Sequence, residues 1–208
     1  MVLGGRTGSG KTEILNSLGK YVPVIDLEAL AHHKGSAFGH LGQEPQPGNE
    51  QYENILAEKL WAIPDGETIW IENESRNIGS VKVPDKIHQG IRSSFAVEVV
   101  LDEEVRKKRI LNEYGVFPLE QLSEATQKIR KRLGEVRLKE ALEYLQAGNL
   151  EAWTVMMLAY YDKTYNYGMS LRQSDAVLQV DVSPLADTDA AAKKILAGVA
   201  SIKVKPTI

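Results

Sequence analysis

The stretch Gly4-Gly5-Arg6-Thr7-Gly8-Ser9-Gly10-Lys11-Thr12 (GGRTGSGKT) decides the fold. From Gly5 onward it satisfies G-x-x-x-x-G-K-[ST] at every position. Glycines let the backbone curl so that successive N–H groups converge on phosphate oxygens. The helix that follows adds its positive N-terminal end. Lys11 is placed for the terminal phosphate oxygens and Thr12 for Mg²⁺. Gly5, Thr7, Gly8, Ser9, Gly10, Lys11 and Thr12 are therefore the candidate phosphate-binding residues, with Thr12 also the candidate metal ligand. The motif specifies a polyphosphate without choosing among them, since ATP and any other diphosphate ester satisfy the same amides.

Working outward, strand and helix patterns alternate. Only Val2 and Leu3 precede the glycines, whereas the first strand of such a fold is central and usually about five residues long. That shortness predicts a C-terminal part of a longer protein. Thr12–Lys20 reads as a helix, Val22–Leu27 as a strand and Glu28–His33 as a helical turn or two. Residues 35–49, rich in Gly, Pro and Gln, read as a long loop of the kind that is often functional. Helices are expected over Glu50–Trp61 and Asp85–Phe95, with strands over Thr68–Ile71 and Ala96–Leu101. Residues 103–167 carry helical periodicity and no convincing strand; a last strand, Val177–Val182, and a last helix, Asp187–Val199, follow. Alternating strands and helices imply a parallel sheet covered on both faces. The expected class is α/β: a P-loop NTPase of nucleotide-kinase-like, three-layer architecture with a helical insertion. The core would span 1–102 and 174–208, and the insertion 103–173.

The bulk composition suits a globular domain, with 43% hydrophobic and 25% charged residues among 208. No apolar run is long enough for a membrane helix. No basic-then-apolar leader precedes the glycines, which leads us to expect a cytoplasmic protein. The absence of cysteine excludes disulfides, thiolate metal sites and a cysteine nucleophile within this sequence. A net charge of −3 weighs only weakly against nucleic-acid binding, because net charge hides local patches.

Strand C-terminal ends are where α/β sites form. Glu72 directly follows a predicted strand, where many P-loop enzymes place an acid that orders metal-bound water or acts as a base. Asp26 sits near another such end. With Lys11, these two are the candidate catalytic residues. Ser36, Phe38 and Gly39 suit a substrate-contacting loop, although an ordinary surface loop would look the same. His32 and His33 are adjacent and cannot share one helix face as a metal pair. Arg109 falls where kinase-like lids offer an arginine to the transferring phosphate. Lys128, Arg130, Lys131, Arg132 and Arg137 form a basic cluster, the electrostatic footprint of a nucleic-acid backbone. A solvated helix face beside Glu103, Glu104 and Glu135 explains the same composition. Trp153, Met157, Tyr160 and Tyr161 lie at helical spacing and read first as a packing stripe. They could equally stack on bases or cover an apolar tail.

Four segments together resemble one family, the C-terminal P-loop domain of tRNA 2-selenouridine synthases: GGRTGSGKTEIL, VIDLEALAHHKGSAFGHLG, IWIENESRNIG and LAYYDKTY. The second is the most specific, because a phosphate loop alone is shared by very many proteins. The resemblance implies a transferase that converts the wobble 2-thiouridine of tRNA to 2-selenouridine through an S-geranylated intermediate. Geranyl diphosphate and selenophosphate would be the donors. It also implies an N-terminal rhodanese-like domain bearing a functional cysteine, supplied in cis or in trans, without which this sequence should not complete the selenium step. Gly8, Gly10, Lys11 and Thr12 carry over as phosphate-binding residues. Ser36, Phe38, Glu74, Ser75, Arg76 and Arg109 are expected at the substrate, and Lys128, Arg130, Lys131, Arg132 and Arg137 at tRNA. An ATP-dependent kinase or ATPase, and a tRNA-binding module without catalysis, are the competing readings.

Overall fold

The computed structural model describes residues 1–172 and 177–202. Along the chain, β1 (Val2–Gly5) leads into α1 (Lys11–Leu18), β2 (Val24–Ile25), α2 (Leu27–Ala31), α3 (Asn49–Trp61) and β3 (Trp70–Glu72). A hairpin, β4 (Asn77–Ile78) and β5 (Val81–Lys82), precedes α4 (Asp85–Ser93) and β6 (Ala96–Val100). Five helices follow: α5 (Glu103–Tyr114), α6 (Leu119–Lys128), α7 (Arg130–Leu133), α8 (Glu135–Gln146) and α9 (Leu150–Ser170). The last described elements are β7 (Val177–Asp181) and α10 (Thr188–Ser201).

The strands β2-β3-β1-β6-β7 lie side by side in that order, all parallel. Parallel neighbours require crossover connections, and each is made here through helices. Central β1 is longer than the two residues expected. Gly4 and Gly5 continue it, opposite Glu98 and Val99 of β6. A Cβ on Gly4 would stand 2.9 Å from the Tyr165 hydroxyl, so glycine lets α9 approach the strand. By contrast, β2 is shorter than expected. The chain turns directly from Ile25 into α2, because the Asp26 carboxylate caps that helix by accepting from the Ala29 N–H at 2.7 Å.

Side chains alternate across the sheet. Leu3, Val97 and Val99 face α1 and α10, packing with Ile14, Leu15, Ala192 and Ile195. Val2, Ile25 and Ala96 face the other way, onto Tyr52 and Leu56 of α3, Val81 of the hairpin and Ile91 of α4. Helices α5–α9 build a separate apolar cluster around Leu122, Ala141, Leu145 and Trp153, which Phe38 and Leu41 of the long loop also enter. The expected boundary near residue 173 lies outside the described residues. Among the described residues no helix is long and apolar enough to cross a membrane.

Candidate functional site

The phosphate loop is shaped by its glycines and held from outside. Gly8 (φ 78°) and Gly10 (φ 79°) take left-handed backbone angles that suit glycine alone, and a Cβ on Gly10 would run into the Leu185 side chain. Arg106 of α5 is buried, and its Nε donates to the Thr7 carbonyl at 2.9 Å. Its two terminal nitrogens grip the Asp162 carboxylate at 3.0 and 2.5 Å. Arg109, one turn on, donates from Nε to the Gly8 carbonyl at 3.1 Å and pairs with Glu13. Two arginines thus take up loop carbonyls on the outside, and a loop whose carbonyls face out presents N–H groups inward. Asp162 belongs to the LAYYDKTY segment of α9, as does Tyr161, whose hydroxyl accepts from the Ala37 N–H at 3.0 Å. That segment ties the insertion to both the phosphate loop and the long loop.

The inner side of the loop is acidic. Glu72, at the end of β3, is fully buried. The Thr12 Oγ1 lies 3.4 Å from Glu72 Oε1 and 3.4 Å from Glu28 Oε2, while the Glu28 N–H donates to Glu72 Oε2 at 3.1 Å. Gly35 closes over the group: a Cβ there would strike the Glu28 carboxylate and stand 2.9 Å from Glu74 Oε2. Burial, then the charges of Asp26 and Glu74, push the Glu72 carboxyl up to about 8, against the pull of Lys11. Burial, then Glu74 and Glu72, hold Glu28 well above the usual carboxylate range. Such carboxyls can accept a proton near neutral pH. The Thr12 hydroxyl with the Glu28 and Glu72 carboxylates is also a hard-oxygen set that fits Mg²⁺, which binds through one or two carboxylates plus water and phosphate oxygens. Among the described residues no three His, Asp or Glu side chains converge as a full metal cage.

The remaining candidates are distributed as follows. The Ser36 Oγ accepts from the Phe38 N–H at 3.2 Å. Phe38 is buried, edge-on to Trp153 with ring centroids 5.1 Å apart. Thr7, Ser36, Phe38, Tyr114, Met157 and Tyr161 line a narrow cleft whose free volume is about 10 Å³. Ser75 donates its N–H to Glu74 Oε2 at 3.3 Å. Arg76 is engaged at the surface with Asp85, at 2.7 and 3.1 Å, rather than with the acids beside the loop. His32 and His33 diverge, the first toward the Pro45 carbonyl at 3.0 Å and the second stacked on His40. In the basic cluster, Lys128 lies 3.2 Å from His40 Nε2 and Arg130 pairs with Glu135 at 2.6 Å. Lys131, Arg132 and Arg137 are exposed.

Two residues central to this geometry escaped the sequence reading. Glu28 stands in the DLEALAHH stretch two positions after Asp26, and an acid just past a strand end was the available signal. Arg106 was not among the candidates, because its partners Thr7 and Asp162 are 99 and 56 positions away.

A family model described as the tRNA 2-selenouridine synthase AAA domain matches residues 1–194. Among curated relatives, tRNA 2-selenouridine synthase of Chromohalobacter salexigens is 35% identical over 208 residues, covering 85% of this chain and 55% of its own. That of Pseudomonas syringae is 34% identical over 199 residues (80% and 53%), and that of Shewanella sediminis 31% over 211 residues (86% and 56%). The chain spans about half the length of these relatives. It belongs to the tRNA 2-selenouridine synthase family, matching that family's AAA domain.

Proposed function

We propose that this chain is the donor-binding part of a transferase that converts wobble 2-thiouridine in tRNA to 2-selenouridine by way of S-geranyl-2-thiouridine. One observation carries the reading: the phosphate loop opens at Thr7 onto a cleft walled by Phe38, Tyr114, Met157 and Tyr161. A diphosphate joined to an apolar chain needs that juxtaposition. In this reading the loop amides and Lys11 hold the diphosphate of geranyl diphosphate and stabilise it as it leaves. The thiouridine sulfur forms a bond to the allylic carbon as the carbon–oxygen bond to diphosphate breaks, and the imino proton of the base leaves to water. Mg²⁺, held by Thr12 with Glu28 and Glu72, would neutralise diphosphate charge. The cleft must widen to admit the chain, since about 10 Å³ has room for roughly one water at most. Selenophosphate would enter in the later step, together with a rhodanese-like domain in cis or in trans. The exposed Lys131, Arg132 and Arg137, with Lys128 and Arg130, support contact with the tRNA backbone.

A second reading, an ATP-dependent phosphotransferase, is favoured by Arg109, which lies against the loop as a lid arginine would. Thermal unfolding with Mg²⁺–ATP, geranyl diphosphate or inorganic diphosphate separates the two. A ligand at 100 times its dissociation constant adds about 2.7 kcal/mol. Geranyl diphosphate should stabilise more than diphosphate alone, and Lys11→Ala should remove both effects. Stabilisation by ATP alone, with turnover lost in Lys11→Ala, would sink the transferase reading.

A further inference from the structure

The outer wall of the phosphate loop borders a second cavity, of about 210 Å³, between β1, β6 and β7. Glu98 and Gln179 face each other across β6 and β7 in register, and by alternation point away from α1 and α10. Arg6, Ser9 and Arg106 form the wall on the β1 side. Ser9 is 1% exposed, and its Oγ has no hydrogen-bond partner. Glu98 is 8% exposed, and its carboxylate accepts from Gln179 Nε2 at 2.8 Å. Arg106 is neutralised by Asp162. Arg6 stands at the rim, donating to Asn166 Oδ1 at 3.1 Å.

An anion entering this cavity would meet Glu98, and a cation would meet Arg6 and Arg106. A neutral ligand that donates and accepts suits it best. In strand order come the Gln179 amide on β7, the Glu98 carboxylate on β6, then the Arg6 guanidinium on the β1 side. That is a donor–acceptor–donor series, since the Gln179 nitrogen carries a second hydrogen beyond the one given to Glu98. Its complement is carbonyl, imino N–H, carbonyl, the pairing edge of uracil. At roughly 30 Å³ per water the space equals about seven waters, below the ~300 Å³ of pockets for larger ligands. It suits one ring rather than a whole nucleotide.

We propose that this cavity is a binding pocket for a uracil base. It lies outside the loop, so the base it holds is not the one that reacts over the loop's inner face. The base comes from an unstacked position of an RNA loop or from a free uridine nucleotide. Only the RNA source rests on the tRNA reading above.

The test uses the whole chain with anticodon stem-loop RNAs in which single loop uridines are replaced by cytidine, and with free uridine and cytidine followed by ligand-observed NMR. One uridine-to-cytidine change should weaken RNA binding about tenfold, the order expected for one well-matched base edge. Glu98→Gln and Gln179→Ala should each reduce that preference to within about twofold. Stabilisation by inorganic diphosphate, retained in both variants, shows that the fold and the loop survive. Free uridine binding that the variants abolish, without any RNA binding, keeps the pocket and removes its tRNA source. The proposal is overturned if neither RNA nor nucleoside shows a uracil preference, or if the preference persists in both variants.

Discussion

Glu72 illustrates how one side chain is governed by its surroundings. Folding removes it from water and places Asp26 and Glu74 nearby, so the folded protein holds a proton there up to about pH 8. An unfolded glutamate releases it near pH 4.3. Between those values the folded state binds more protons than the unfolded one, so this site makes stability fall as pH rises. Glu72→Gln should remove that fall. The stability difference between variant and wild type should move in favour of the variant from pH 5 to pH 8, by at most about 1.4 kcal/mol per pH unit. Denaturant unfolding in EDTA, where no cation meets the acids, measures it; the terms from His33 and His40 cancel in the difference. A pH-independent difference would show that Glu72 is ionised throughout. Lys11, Thr12 and Glu72 were legible because each stands at a fixed offset from a motif or a strand end. Glu28 and Arg106 were not, because their roles arise from contacts that only the folded chain makes.

Helix α9 and the loop after α2 show the same division between local and distant signals. The long loop, expected over residues 35–49 and ending at α3 (Asn49–Trp61), was readable from Gly, Pro and Gln, and the helical stretch from its apolar period. Their attachment was not: Phe38 and Leu41 enter the core of the insertion, and Tyr161 accepts a hydrogen bond from Ala37. The hairpin β4–β5 was missed because two-residue strands carry no period, leaving the Gly79 turn as the only mark. The strand Val22–Leu27 was overcalled because its apolar run gave no weight to Pro23 and to the cap at Asp26. Tyr161→Phe keeps the ring between Phe38 and Tyr160 and deletes the oxygen that Ala37 uses. The expected loss is about 1 kcal/mol, one net hydrogen bond. Amide exchange should accelerate at residues 36–41 while the sheet stays protected. Equal acceleration in β1 and β6 would mean that the bond supports the whole fold instead of the loop.

The complete molecule separates its charges by region. Beside the loop Glu72 is buried and Asp26, Glu28 and Glu74 are half-buried, whereas the basic residues from Lys128 to Arg137 lie exposed on the insertion. A net charge of −3 therefore says little about the surface an RNA would meet. What matters is how many of those cations release counterions on binding. Each phosphate neutralised contributes roughly 0.7 to 0.9 to the slope of log affinity against log salt. Among the described residues no carboxylate pairs with the exposed Lys131 and Arg132, so each can make a phosphate contact. Arg130 first has to give up Glu135. Replacing Lys131 and Arg132 together by alanine should reduce the slope of tRNA binding by about 1.5, equally for different tRNA sequences. Arg130→Ala should change it less, because separating the existing ion pair offsets part of what the new contact supplies. Binding isotherms between low and physiological salt measure both. An unchanged slope in the double variant would place the tRNA surface elsewhere on the molecule, while a slope that falls only for some tRNAs would mean these side chains read bases instead of phosphates.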